Sequence, residues 1–285
     1  MAEVTKRYAV VTGANKGIGL QICKQLAQSG IIVVLTARVE KRGLEALQSL
    51  KDTGLLDHLL FHQLDVADPE SIASLADFVK KHFGKLDILV NNAGILGATF
   101  SIPPGSEGCW VAATYKLNQI AEALIPLLQL SDLPRIVNVS SSVVCVKPNG
   151  GDRLKEICDI SAGLTTEEKL SEIISEYLRD FKEGTHLING WPTLLSAYTV
   201  SKVALNAYTR ILANKHPEFC INCVCPGYAK TDINYNSGTI TTEEGAEIPV
   251  KLALLPKDGP SGLFFVKGEP VSPGYRYQFP GSTAQ

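Results

Sequence analysis

Thr12-Gly13-Ala14-Asn15-Lys16-Gly17-Ile18-Gly19 follows the apolar run Tyr8-Ala9-Val10-Val11. It opens a segment from Gly17 to Ser29 with Ile18, Ile22 and Leu26 at helical spacing, and Gly30 reads as the cap that ends it. A strand that turns through three glycines straight into a helix has few folds open to it. The glycines permit a tight turn, a close backbone approach to a pyrophosphate, and close packing of helix on strand. The helix start adds free N–H groups and the positive end of its dipole. Gly13, Asn15, Lys16, Gly17, Ile18 and Gly19 therefore read as a cradle for a dinucleotide.

Further apolar runs recur at Ile31 to Leu35, Leu59 to Leu64, Leu86 to Val90, Arg135 to Val139 and Ile221 to Val224, with a helical pattern from Ser71 to His82. Apolar strands separated by helices imply a parallel sheet covered on both faces. The expectation is a single doubly wound, Rossmann-type α/β domain over residues 1–285, because no repeat or Pro/Gly-rich linker divides the chain. Hydrophobic residues at 45% and charged residues at 20% suit a packed core and argue against disorder. With 27 basic and 29 acidic residues, the net charge of −2 argues against a nucleic-acid partner. No apolar run approaches the roughly 20 residues that span a bilayer. The start, MAEVTKRYAVVTG, lacks the apolar region of a secretion signal. The seven scattered cysteines then read as reduced thiols of a cytoplasmic protein.

Residues about 147–195 break the rhythm. Thr165 with Glu168 reads as a capping box, and Leu170, Ile173, Ile174, Tyr177, Leu178 and Phe181 fall on one helical face. This inserted helix reads as a lid over a substrate pocket, because it lies between the two segments that carry the chemistry; the alternative is a surface decoration. The tail from about Pro270 is rich in Pro, Gly and Ser and reads as loosely ordered.

At the end of the second strand an Asp or Glu would bind a ribose 2′-hydroxyl. The chain has Thr36-Ala37-Arg38 there, with Lys16 in the glycine loop. Two cations and no carboxylate suit a 2′-phosphate, so NADPH/NADP+ is the expected cofactor.

Tyr198-Thr199-Val200-Ser201-Lys202 sets Tyr and Lys four apart on one helical face. A nearby ammonium favours tyrosinate, so the spacing predicts a phenol lowered toward the working range that gives its proton to a carbonyl oxygen. Asn91-Asn92-Ala93-Gly94, Ser140-Ser141-Ser142 and Pro226-Gly227 each follow a strand, at the carboxyl edge where α/β ligand sites lie. Cys220, Cys223 and Cys225 include a C-x₂-C spacing, but zinc needs a second pair and these fall on a buried strand. No H-x₃-H arrangement occurs among the five histidines, so no metal is expected.

Together these motifs resemble the short-chain dehydrogenase/reductase superfamily over nearly the whole chain. RYAVVTGANKGIG, FHQLDV, EALIPLLQLS, RIVNVSSS, PVKLALLP and GPSG are similar to its carbonyl-reductase-like branch, which includes plant reductases of terpenoid and alkaloid ketones. The resemblance implies that Tyr198 donates the proton, Lys202 lowers its pKa and holds the ribose, and Ser141 polarises the carbonyl. It implies that Asp65 and Val66 contact adenine, that Asn91, Ala93 and Gly94 line the trough, and that Pro226, Gly227 and Thr231 complete the nicotinamide side. It further implies a monomer, with the insertion blocking the helix surface used elsewhere for dimerisation. Two departures stand out. Ala113 falls where the family carries a helix Asn that helps hold a relay water, and Asn118 is off that face. The segment Ile95 to Gly108 is also shorter than usual. The expected reaction is reduction of a cyclic monoterpenoid-like ketone. The alternative is reduction of the conjugated C=C bond of an enone, and the third reading is a weakly catalytic NADP-binding protein.

Overall fold

The computed structural model describes residues 6–94, 108–142, 166–193 and 195–271, with side chains in the helix that starts at Gly108 described from Asn118 onward. In chain order the elements are β1 (Tyr8–Val11), α1 (Gly17–Gln28), β2 (Ile32–Ala37), α2 (Glu40–Ser49), β3 (Leu59–Gln63), α3 (Pro69–Phe83) and β4 (Ile88–Asn91). They continue with α4 (Gly108–Leu128), β5 (Arg135–Val139), α5 (Glu167–Lys182), α6 (Ser196–Lys215), β6 (Cys220–Cys225), α7 (Thr242–Ala253), β7 (Phe264–Val266) and β8 (Glu269–Val271). The strands form one sheet in the order β3-β2-β1-β4-β5-β6-β7-β8, parallel except for the last pair.

Alternation along the strands explains the two layers. Val10, Val34, Leu89, Ile136 and Ile221 point to one side and meet α3, α4, α5 and α6. Ala9, Val11, Val33, Leu35, Ile88, Val90, Val137 and Val224 point to the other and meet α1, α2 and α7. The sheet is therefore covered on both faces. The order reverses between β1 and β4, which pair directly with Val11 opposite Val90. This switch point brings the glycine loop beside the Asn91-Asn92-Ala93-Gly94 segment, where such sheets bind ligands.

Some expectations need correction. The cap of α5 is Thr166, whose hydroxyl accepts from the Lys169 amide at 3.4 Å, so the box reads one residue too early at Thr165. The described part of the insertion is not a surface decoration. Leu170, Ile173, Ile174 and Tyr177 join the main core, and α5 packs on α4 and α6. The remainder of the insertion before Thr166 lies outside the described residues. The loose tail expected from about Pro270 does not begin there, since Pro270 and Val271 are in β8; residues 272–285 lie outside the described residues. Among the described residues no helix is long and apolar enough to cross a membrane.

Candidate active site

The glycine loop is held from the neighbouring strand. The Thr12 amide donates to the Val90 carbonyl at 3.0 Å, and the Thr12 hydroxyl accepts from the amides of Asn92 at 3.0 Å and Ala93 at 2.9 Å. The Asn92 side-chain amide donates to the carbonyls of Thr12 and Gly13, both at 3.0 Å. Gly13 has φ of +61°, and a Cβ there would lie 2.8 Å from the Ala93 Cα. A Cβ on Gly19 would lie 2.4 Å from the Asn92 side-chain nitrogen and 2.7 Å from the Gly13 carbonyl oxygen. The backbone is thus packed too tightly for side chains and presents bare amides, a surface that fits a dinucleotide pyrophosphate. Thr12 and Asn92 were given no role by sequence reasoning. The clue available was the second Asn of the run after β4.

The flanks agree with that fit. Arg38 is exposed at the end of β2, its carbonyl accepting from the Gln63 side chain at 2.9 Å. Asp65 accepts from the Ala67 amide at 2.9 Å, which turns the chain after β3 beside half-buried Val66. Asn91 is buried and donates to the Asn138 side chain at 2.9 Å, tying β4 to β5. Asn138 in turn donates to Thr209 of α6 at 2.9 Å. Pro226 follows β6, and Gly227 has φ of +87°, a conformation that strains any other L residue. The turn carries Thr231 across the glycine loop, its methyl 3.5 Å from where a Cβ on Gly17 would sit. Ile18 packs against Gly245 of α7. Lys16, expected to serve a phosphate, pairs with Asp232 at 2.5 Å.

Ser141, Tyr198 and Lys202 are brought together beyond the ends of β4 and β5. Ser141 and Tyr198 share a side-chain hydrogen bond. Lys202 lies over the Tyr198 ring, its Nζ 5.7 Å from the centroid, and donates to the Val139 carbonyl at 2.8 Å. Gly94 lies beside the same Nζ, 3.5 Å from where a Cβ on it would sit. The Ser140 amide is anchored to the Val224 carbonyl at 2.7 Å, which positions the serine run. Asn118 is buried on α4, and the Ala113 side chain lies outside the described residues.

The electrostatics correct one expectation. Burial raises the Tyr198 phenol above its ordinary value, although the residue is only partly buried, and the Ser141 hydrogen bond offsets only some of this. Loss of water is thus the leading influence on the phenol, and it opposes the lowering expected from the nearby ammonium. The phenol is held protonated, the state of a proton donor. Burial also pushes Lys202 down to about 8. The folded chain then binds fewer protons than the unfolded chain between about 8 and the ordinary 10.5. Stability is gained as pH rises through that window and lost as pH falls back to about 8. The full contribution is about 3 kcal/mol. In denaturant titrations, wild type is expected to gain about this much from pH 8 to 10.5 relative to Lys202→Met. Equal pH dependence in both proteins would contradict the assignment.

Cys220, Cys223 and Cys225 are buried in β6, and burial raises the thiol of Cys23 on α1. Among the described residues no group of three His, Cys, Asp or Glu side chains is arranged to hold a metal ion.

A glycine trough at the switch point beside a Ser/Tyr/Lys cluster defines a nicotinamide-nucleotide oxidoreductase. The chain matches the short chain dehydrogenase family model over residues 7–151 and belongs to that family. It is 54% identical to (+)-neomenthol dehydrogenase of Arabidopsis thaliana, covering 93% of this chain and 97% of that protein. It is 46% identical to (−)-isopiperitenone reductase of Mentha piperita, covering 95% and 99%. The structure of salutaridine reductase from Papaver somniferum superposes with a TM-score of 0.83 at 46% identity, covering 91% of this chain and 99% of that one.

Proposed function

We propose that this chain catalyses NADPH-dependent reduction of a cyclic, apolar, monoterpenoid-like ketone to its alcohol. The observation that carries this reading is the cluster in which the Tyr198 hydroxyl is hydrogen-bonded with Ser141 and its ring lies beneath the Lys202 ammonium. NADPH supplies the hydride when bound. Ser141 holds the substrate oxygen. As the carbonyl carbon gains the hydride, the π pair moves to that oxygen, which takes the Tyr198 proton. The tyrosinate left behind is stabilised by the Lys202 ammonium. Lys202, with a pKa of about 8, can return a proton near neutrality. Positioning and preorganised charge supply most of the acceleration. Exposed Arg38 and Lys16 support the choice of NADPH over NADH.

The likeness to (+)-neomenthol dehydrogenase and to salutaridine reductase supports a ring ketone as substrate. The likeness to (−)-isopiperitenone reductase keeps a second reading in play, reduction of a conjugated C=C bond. Burial of the four free thiols among the described residues supports a cytoplasmic setting, and α5 covering α4 and α6 supports a monomer. The test is incubation with NADPH and menthone, pulegone or isopiperitenone, with products separated by chiral chromatography. An alcohol supports ketone reduction, whereas a saturated ketone from the enones supports the second reading. Tight NADPH binding with no product from the whole panel overturns both.

A further inference from the structure

Lys16 has two anionic partners to choose between. It extends from the glycine loop, where the cofactor's phosphates would lie, yet its Nζ is 2.5 Å from the Asp232 carboxylate. Asp232 comes from the segment after β6, on the far side of the trough. A capping box between Thr231 and Asn234 holds it there, and the Asn234 side chain donates to the Ala229 carbonyl at 2.8 Å. The same two walls are joined further along by Lys24 with Glu243 at 2.7 Å and by the Gln25 side chain donating to the Glu243 carbonyl at 2.9 Å. Those contacts are remote from the loop. The Lys16–Asp232 pair alone, among the described ion pairs, spans the mouth beside Gly17 and Thr231.

We infer that Asp232 sets the cofactor preference of the site by competing with the 2′-phosphate for Lys16. This rests on the NADPH reading above and extends it to a residue with no place in the chemical step. An ammonium seated on Asp232 at the mouth must leave it to pair with a 2′-phosphate beside Arg38. Binding of NADPH therefore breaks one ion pair for each it makes through Lys16. NADH lacks that phosphate and offers Lys16 only the pyrophosphate that both nucleotides share, so it draws less on the pair. Both partners are more than half exposed, so the pair is a weak one and the cost is modest. Exposure also means that the isosteric change Asp232→Asn removes the charge without disturbing the core.

The test measures cofactor binding directly, by quenching of protein fluorescence or calorimetry, with no substrate present. Asp232→Asn is expected to tighten NADPH binding by about two- to fivefold and to change NADH binding less. Raising the salt concentration should shrink the NADPH gain. In the Lys16→Met background the gain from Asp232→Asn should vanish, which separates competition for Lys16 from a general effect of removing a negative charge. An unchanged NADPH affinity, an equal gain for NADH, or a gain that survives Lys16→Met overturns the inference while leaving the NADPH reading intact. A wild-type chain that binds neither nucleotide overturns that reading and this inference with it.

Discussion

Replacing Tyr198 with Phe is expected to cut turnover of any ketone the enzyme reduces by about 10²- to 10⁴-fold, the usual worth of a positioned proton donor. NADPH binding should stay within a factor of a few, because the ring and its packing on α6 remain. The reduction removes one hydroxyl, its hydrogen bond with Ser141 and its proton, and leaves the Lys202 contact with the Val139 carbonyl untouched. Single-turnover kinetics with pre-bound NADPH isolate the chemical step from product release. A variant that retains wild-type turnover would remove Tyr198 from the reaction and with it the proposed mechanism. The raised phenol adds a directional expectation: reduction persists through neutral pH, while the reverse oxidation, which needs tyrosinate, climbs only under alkaline conditions.

The largest expected effect on stability lies away from the chemistry. Trp191 is fully buried, donates from its indole nitrogen to Asp180 at 2.8 Å, and meets the Tyr177 ring edge-on at 5.0 Å. Asp180 is itself buried at the end of α5. Trp191→Ala removes the indole from the core and takes away a donor from a buried carboxylate. The expected cost is about 3–5 kcal/mol, read by urea denaturation. A loss below about 1 kcal/mol would mean that α5 is only loosely docked. Because the Tyr177 hydroxyl donates to Ser196 at the start of α6, at 3.0 Å, the same change should loosen the helix that carries Tyr198.

Much of this architecture was legible in the residues. The strands at Tyr8–Val11 and Arg135–Val139 coincide with their apolar runs, and β2, β3, β4 and β6 differ from theirs by one or two residues at one or both ends. Helix α2 gives only a weak sequence signal for a physical reason: only Gly43 and Ala46 are buried along Glu40–Ser49, so most of its surface faces water and carries no apolar period. Strands β7 and β8 are three residues each, too short for alternation to register. Asn92 shows the same limit at the site. Its place in the run after β4 was visible, but its hold on the Gly13 carbonyl depends on β1 and β4 being neighbours.

The one-dimensional order of the chain determined the glycine turn, the apolar strands and the four-residue spacing of Tyr198 and Lys202, because these depend on local backbone geometry and side-chain periodicity. Tertiary packing alone decided how tightly Tyr198 and Lys202 hold their protons and which carboxylate meets Lys16. Proton affinity follows the water displaced by surrounding atoms, and Asp232 reaches Lys16 only when chain segments 216 residues apart fold against one another.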